Sequence, residues 1–414
     1  MARRGTRKSL RALYLQPAPL FGGAERQAAL TAKLLPQFGV EVVPLVGPGP
    51  VTANWLREMG VQEIVETPHF PGGWPKQRGL GRLTLPGRYL HCGWQARAQM
   101  AQLVLEHDVD VILASLPFAW ITGSLVARHA GIPIVWRAGG SYLHPAQIAG
   151  LWSLTRFLRP DLLLCNSDAV KKVFSPLVPA PVEVVANGVN REMFHPGAGD
   201  ASRYRPLGSR LVVGCAMRLA DSKRPGDFVA LAARLRRQYP GAHFLLAGAG
   251  SRRAQLEQLA RESGADNLTF LGFVSDMPSF YAACDVLVLP SSSEGCPNYL
   301  LEAAAMGKPV VAAAIAPVIE LLRATENGFL FELGDVVGLT LAVSQLLSNA
   351  EQRQALGERA LLHIDQFSAS ASASTIAGIL RELVAEHAAR PGRSRASDLS
   401  PPRSASRSAK VAAE

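Results

Sequence analysis

The chain has 414 residues, 48% hydrophobic and 18% charged, a length that predicts two domains in a composition typical of soluble globular proteins. The +10 net charge is uneven: residues 1–195 carry 20 Lys/Arg against 12 Asp/Glu, residues 196–389 carry 17 against 19, and residues 390–414 carry 6 against 2. No apolar window reaches the roughly 20 residues of a bilayer span, no signal peptide is visible, and five scattered cysteines without a CxxC pair exclude a disulfide framework and predict reduced thiols in the cytoplasm.

Short apolar runs alternate with helical patterns from the start. "LRALYLQPAP" predicts a strand, "GAERQAALTAKLLPQFG" a helix and "VEVVPLVG" the next strand. The window 111–127, "VILASLPFAWITGSLVA", reads as a strand, a turn and a helix start. "IPIVWRA", "DLLLCNS" and "VEVVANG" are further strands, each closed by a turn residue. After the Pro/Gly-rich "FHPGAGDASRYRPLGS" the rhythm restarts with "RLVVGCAMRL", "AHFLLAGAG", "NLTFLGFV", "CDVLVLPSSS" and "KPVVAAAI", and "RRAQLEQLARESG" is a helix between them. This is an α/β chain of two doubly wound parallel sheets, joined near residues 195–208. A last helix spans 372–389, and the Ser/Pro/Arg-rich tail 390–414 is expected to be disordered. Open α/β sheets bind ligands at the carboxyl ends of their strands, so two facing sheets predict a cleft holding two substrates.

Three turns carry candidate chemistry. In "SEGCPNYLLEAAAMG", Glu294 lies between a strand and a helix, with Pro297 suited to the helix start and Glu302 a turn or so inside. A carboxylate accepts two hydrogen bonds from a vicinal diol, and the free N–H groups of a helix start suit a phosphate. In "MRLADSKRPGD", Arg218 and Lys223 follow a strand five positions apart, a pair suited to a departing diphosphate. In "PAPLFGGAERQ", Gly22 and Gly23 let backbone approach a ligand before the next helix, although a tight turn accounts for them equally well.

Together these segments resemble the retaining, nucleotide-sugar-dependent glycosyltransferases of family 4, which adopt the GT-B fold. The resemblance runs in family order from about residue 20 to 336, through "FGGAER", "NGVNREMFHP", "MRLADSK", "FLLAGAG", "LTFLGFVSDMPSFYAACDVLVLPSSSEGCPNYLLEAAAMGKPVVA" and "ENGFLFELGD". It implies an acceptor-side domain over 1–195, a nucleotide-sugar domain over 196–371, and a helix over 372–389 packing back on the first. It further implies Glu302 on the ribose hydroxyls, Glu294 on the donor sugar, and backbone around Cys296, Pro297, Asn298 and Tyr299 on sugar and phosphates. Arg218 and Lys223 would stabilise the leaving diphosphate, Phe273 and Val274 would lie near the base, and Gly22 and Gly23 would approach phosphate and acceptor. No metal and no cofactor beyond the nucleotide diphosphate sugar is implied, and retention rests on the resemblance. Many relatives carry a His after the strand that here reads "IPIVWRAGGS", with Arg137, Ala138, Gly139 and Gly140 in its place, and the common Glu-Gly-Phe-Gly is "EGCP".

Other features have plainer readings. "DVD" (108–110) leads into a buried strand rather than a metal site, and "AGAGSRR" (247–253) lacks the third glycine of a dinucleotide fingerprint. His69, His91, His129, His144 and His195 lack partner patterns, and Trp120, Trp136 and Trp152 suit a core or an acceptor wall. The basic first half suits an anionic membrane surface, an acidic acceptor or nucleic acid, and solubility accounts for it equally well, while its cations are not interleaved with aromatics as in nucleic-acid binders. With the resemblance it implies a lipid-linked or saccharide acceptor at the inner membrane face, in bacterial cell-surface polysaccharide or glycolipid synthesis. A same-fold sugar-nucleotide epimerase and an NAD-dependent oxidoreductase are the alternatives to glycosyl transfer.

Overall fold

The computed structural model describes residues 9–16, 22–47, 50–61, 63–68, 85–140, 143 and 145–390. The strands are β1 Leu10–Gln16, β2 Val40–Val46, β3 Val65–Glu66, β4 Val111–Ser115, β5 Ile134–Ala138, β6 Leu162–Cys165, β7 Val182–Val184, β8 Leu211–Ala216, β9 Ala242–Ala247, β10 Leu268–Gly272, β11 Val286–Leu289, β12 Val310–Ala313 and β13 Gly328–Phe331. The helices are α1 Gly23–Leu34, α2 Pro50–Glu58, α3 Leu85–Glu106, α4 Leu116–Ala130, α5 Pro145–Leu154, α6 Asp168–Phe174, α7 Pro225–Leu235, α8 Arg253–Ser263, α9 Met277–Ala283, α10 Asn298–Ala305, α11 Ala316–Thr325, α12 Val336–Ser348, α13 Ala350–His363 and α14 Ala369–Ala389.

Strands such as "VILAS" and "VLVL" are apolar throughout because both faces of their sheet are covered. The first sheet has seven parallel strands in the order β3-β2-β1-β4-β5-β6-β7, and the second has six in the order β10-β9-β8-β11-β12-β13. Each order reverses once, between β1 and β4 and between β8 and β11, and at such a reversal neighbouring helices leave on opposite faces and open a crevice. On one face of the first sheet Trp120 and Trp136 stack 5.1 Å apart in a core filled from α3 and α4. On its other face Tyr14, Leu113 and Val135 pack under α1 and α14. The second sheet is likewise covered twice, by α7, α8 and α12 with Phe228 of α7 packed against Phe244 of β9, and by α9, α10 and α11 with Tyr281 of α9 in the same core as Leu287 of β11.

The chain crosses between the two sheets twice, side by side. Val189 N–H donates to Phe367 O at 2.8 Å and Ala369 N–H to Val189 O at 2.9 Å, a short parallel bridge joining the outgoing and returning strands of chain. The return delivers α14 to the first domain, where Ile376, Ala377, Leu380 and Leu383 are buried with Ala28 and Ala32 of α1.

Several elements differ from the sequence reading. The last helix starts at Ala369 rather than 372, since Ser368 Oγ accepts the Ala371 N–H at 3.2 Å and caps it. Pro297 precedes α10 as its N-cap instead of lying in its first turn. α2, β3 and α3 are not among the elements read from the sequence, and β13, inside "ENGFLFELGD", is an edge strand of four residues. Of the tail 390–414 expected to be disordered, residues 391–414 lie outside the described residues, as do His69 and His144. Among the described residues no helix is long and apolar enough to cross a membrane.

Leu380, 1% exposed, closes the α1–α14 contact, so Leu380→Ala should cost about 2–5 kcal/mol by leaving a cavity between the returning helix and the first domain. Urea unfolding followed by circular dichroism checks it; an unchanged midpoint would show that α14 contributes nothing to that domain.

Candidate active site

Arg218 and Lys223 follow β8 and Glu294 follows β11, so the three stand on the two sides of the second sheet's reversal point. Lys223 Nζ lies 2.5 Å from Glu294 Oε1 and donates a second bond to Ser293 O at 3.2 Å. The two loops are tied again by Ser292, whose N–H and Oγ–H both donate to Ser222 O at 2.9 and 3.0 Å. Lys223 is delivered by a tight turn, Asp221–Lys223, ending at Arg224 with φ +51°. That left-handed arginine is held by Asp227, which accepts its Nε–H at 2.7 Å and an Nη2–H at 3.1 Å. Beneath this turn lies Gly248 (φ +136°): a Cβ there would meet Met217 O at 1.8 Å, so only glycine lets the β9 turn support the Arg218 loop. The glycines of "AGAGSRR" thus serve backbone packing.

Glu302 sits in α10 with its side chain only 8% exposed. Its Oε2 accepts from the Tyr281 hydroxyl at 2.8 Å, and its Oε1 lies 3.4 Å from Arg26 Nη2, an arginine from the other domain. Burial raises the Glu302 pKa, opposed by Arg26 and then by the Tyr281 bond. Glu25, beside Arg26 in the first turn of α1, is also raised by burial, against its own and the Gly22 backbone amides and the charge of Arg218. Two consecutive residues of the first domain therefore reach both predicted elements of the second: Arg26 pairs with Glu302, and Glu25 lies in the field of Arg218.

The domains meet at backbone distance here. A Cβ on Gly295 would lie 1.9 Å from Gly139 O and 3.0 Å from Asn166 Oδ1, so the turn carrying Glu294 touches the turn that follows β5. Asn298 Nδ2 donates to Gly23 O at 3.0 Å. Asn187, at the outgoing crossing, donates to Cys296 O at 2.8 Å and to Asn298 Oδ1 at 2.9 Å. Gln27 of α1 braces that crossing, its Nε2 donating to Gly188 O at 2.7 Å and its Oε1 accepting the Gly188 N–H at 3.1 Å.

The four charged candidates and the Gly22–Gly23 turn thus lie along one seam. The remaining candidates divide. Phe273, 68% exposed beyond β10, is open to a ligand, whereas Val274 packs into the core and can offer only backbone. Tyr299 turns inward, its hydroxyl donating to Gly214 O at 3.0 Å, and Cys296 and Pro297 are buried, so this turn too faces the cleft by its backbone. Burial pushes the Cys296 thiol up to about 12, which keeps it protonated and unfit as a nucleophile. The sequence reading missed Glu25, Arg26, Tyr281 and Asn187; the only available signal was that "GGAER" places a charged pair on the first helical turn. Asp110 of "DVD" accepts the Arg11 N–H at 3.0 Å at the amino end of the first sheet, away from the seam. Trp120 and Trp136 are core residues, while Trp152 is half exposed under the Arg156 guanidinium at 3.8 Å.

Comparisons with known proteins agree with this layout. Residues 21–193 match the family described as Glycosyltransferase Family 4, and residues 200–363 match Glycosyl transferases group 1. The chain is 28% identical over 342 residues to the lipopolysaccharide core biosynthesis glycosyltransferase LpsE of Rhizobium meliloti, covering 82% of this chain and 89% of that one. It is 32% identical over 255 residues to a D-inositol 3-phosphate glycosyltransferase of Stackebrandtia nassauensis, covering 57% of each. In fold it is similar to Anabaena HepE, solved with UDP and glucose, at TM-score 0.74 and 21% identity over 90% of this chain and all of that one. It is also similar to sucrose-phosphate synthase of Thermosynechococcus elongatus, at TM-score 0.75 and 16% identity over 91% of this chain and 100% of that one.

The raised Glu302 pKa has a sign that can be tested. A carboxylate that binds its proton more tightly folded than unfolded loses stability as pH rises above its ordinary value of 4.5. Glu302→Gln removes that loss and keeps an acceptor for Tyr281. The variant should melt above the parent at pH 7.5, with the gap closing as pH falls toward 4.5. Parallel melting curves across this range would rule out the assignment.

Proposed function

The chain belongs to glycosyltransferase family 4, with two facing Rossmann-like domains of the GT-B fold, and on that premise we propose that it moves a sugar from a nucleotide diphosphate donor to an acceptor hydroxyl with retention at the anomeric carbon. The observation that carries this reading is the pairing of Lys223 with Glu294 at the second sheet's reversal point, against the turn that brings Arg26 to Glu302.

In this reading Glu302 holds the ribose diol, because its carboxylate keeps acceptor capacity beyond the Tyr281 and Arg26 bonds. Glu294 and the backbone N–H groups of Asn298 and Tyr299 address the donor sugar and phosphates; Pro297 supplies no N–H. Phe273 offers an open ring to the base. Arg218, exposed and near the seam, and Lys223, which a diphosphate would draw from Glu294, neutralise the charge that grows as the leaving group departs. Their charge is proposed to do the work that a metal does elsewhere. The bond from the anomeric carbon to the β-phosphate oxygen breaks, and the acceptor oxygen bonds to that carbon on the same face. The acceptor's proton passes to the departing phosphate oxygen, so no protein nucleophile is required.

The uneven charge, +8 over residues 1–195 and −2 over 196–389, supports an anionic acceptor or membrane surface meeting the first domain. With the resemblance to a lipopolysaccharide core enzyme, it supports a role in cell-surface saccharide synthesis at the inner membrane face.

A melting-temperature screen against UDP-, GDP- and ADP-sugars identifies the donor, since a ligand bound only by the native state raises the transition. Lys223→Ala should then lower kcat by roughly 10²–10³ with little change in KM for the donor, and Glu302→Ala should weaken donor binding roughly tenfold. Wild-type rates in both variants would refute the site, and an inverted anomer in the product's proton NMR spectrum would refute retention.

A further inference from the structure

The carboxyl edge of the first sheet carries a polar cluster that glycosyl transfer as described leaves unused. Strand register places it. Tyr14 pairs with Leu113, Leu113 with Val135, Ser115 with Arg137, and Arg137 with Leu164. Side chains on a strand alternate faces, so Tyr14 and Gln16, Ser115, and Arg137 line the same face of neighbouring strands. Asn166, one residue past β6, joins this edge, and its Oδ1 lies against Gly295 of the opposing turn.

Arg137 is half-buried, and its Nη1 donates to the Tyr14 hydroxyl at 2.5 Å, with the guanidinium 5.8 Å from the Tyr14 ring centre. Ser115 Oγ also donates to that hydroxyl, at 3.4 Å. Among the described residues no carboxylate lies within ion-pair distance of Arg137. A guanidinium partly withdrawn from water, its nearest polar partner a neutral phenol, lacks the countercharge that normally offsets its desolvation. The Tyr14 hydroxyl accepts both bonds and keeps its own proton to give. Beside it, Gln16 is 5% exposed, and among the described residues its buried Oε1 has no hydrogen-bond partner, nor has Asn166 Oδ1. Buried side-chain acceptors in native proteins usually have a partner, so each of these two calls for one, and a ligand hydroxyl at the cleft can supply it. An anion at Arg137 and Tyr14, and hydroxyl donors at Gln16 and Asn166, would complete the cluster.

We propose that this edge is an acceptor subsite for a saccharide bearing an oxyanion, a phosphate or a carboxylate, with Arg137 and Tyr14 gripping the anion and Gln16 and Asn166 accepting from its hydroxyls. The assignment to the acceptor rests on the glycosyltransferase reading, in which the second domain holds the donor. Arg137 is here a specificity-determining residue: it selects charged acceptors over neutral ones and touches no breaking bond.

The test is a melting-temperature titration of the full chain with glucose 6-phosphate, glucuronate and neutral methyl glucoside. Each is run with saturating nucleoside diphosphate, so that the diphosphate position is already filled. At least one anionic sugar should raise the melting temperature of the parent at concentrations where methyl glucoside does not. Arg137→Gln should weaken that response by roughly tenfold or more, the factor for losing a charge-assisted pair, and Arg137→Lys should keep part of it. The shift from nucleotide alone should be the same in all three proteins. Anionic sugars that act no better than methyl glucoside on the parent, or an Arg137→Gln response equal to the parent's, overturn the subsite. The comparison on the parent decides the matter even where Arg137→Gln folds poorly. Loss of the nucleotide shift in the parent instead refutes the donor site, and the sugar series without nucleotide then judges the subsite alone.

Discussion

Two sheets can bring their carboxyl edges within backbone distance only where neither turn carries a side chain at the contact, and Gly295 against the carbonyl of Gly139 is that point. A methyl group on Gly295 would overlap the carbonyl oxygen, so alanine here would force the domains apart or tilt one turn. Everything else in the seam depends on that approach. Asn298 can reach Gly23 O, Asn187 can reach both Asn298 and Cys296 O, and Arg26 can reach Glu302. Hydrogen bonds from two asparagines and one glutamine to backbone carbonyls then set the relative position of the turns without filling the space between them.

The electrostatics of the seam run against stability. Glu25 and Glu302 both have pKa values raised by burial, so each is ionised at a cost to the fold at neutral pH. Lys223 and Glu294 are each less than one-fifth exposed, and a pair so withdrawn from water gains little over an apolar pair of the same shape. Glu25, Lys223 and the Glu294–Glu302 pair come from three stretches of sequence, and ionisable groups gathered at a cost to stability are the pattern that the proposed ligand-binding reading expects. Core positions such as Trp136 and Phe228 contribute stability without that conflict.

Legibility in the sequence followed the physics of each feature. Strands buried on both faces advertise themselves as unbroken aliphatic runs, which is why β1, β4, β8 and β11 were readable, whereas the strand order and its reversal points came only with the structure. Glu294 and Glu302, like Arg218 and Lys223, could be placed at the carboxyl end of a strand because each pair falls within one strand–turn–helix unit. The direction of a side chain was not: Tyr299 and Val274 face inward because α10 and the β10 turn are covered by α9, and no local pattern encodes that. Arg26 and Asn187 were invisible for a related reason. Their partners lie 276 and 109 residues away, at Glu302 and Cys296, and only the interdomain contact selects them.

Backbone strain marks the same places independently of charge. Among the described residues four non-glycine residues have positive φ, and two of them are Leu116, at +74°, and Arg224, at +51°. Leu116 immediately follows β4 and Arg224 immediately follows Lys223, so each sits beside the reversal point of its own sheet. A branched leucine in the left-handed region costs on the order of 1–3 kcal/mol, and such a conformation persists only where the surroundings impose it. Arg224 is also followed by Pro225, which ordinarily drives its predecessor to extended backbone. Asp227 offsets part of that conflict with its two bonds to the arginine, and the result is a turn that presents Lys223 to Glu294. The strain in the second domain therefore has a visible product. In the first domain, the strained Leu116 adjoins Ser115, whose hydroxyl bonds the Tyr14 that accepts from Arg137, so the corresponding position of that sheet, under the same kind of strain, also stands beside a cation.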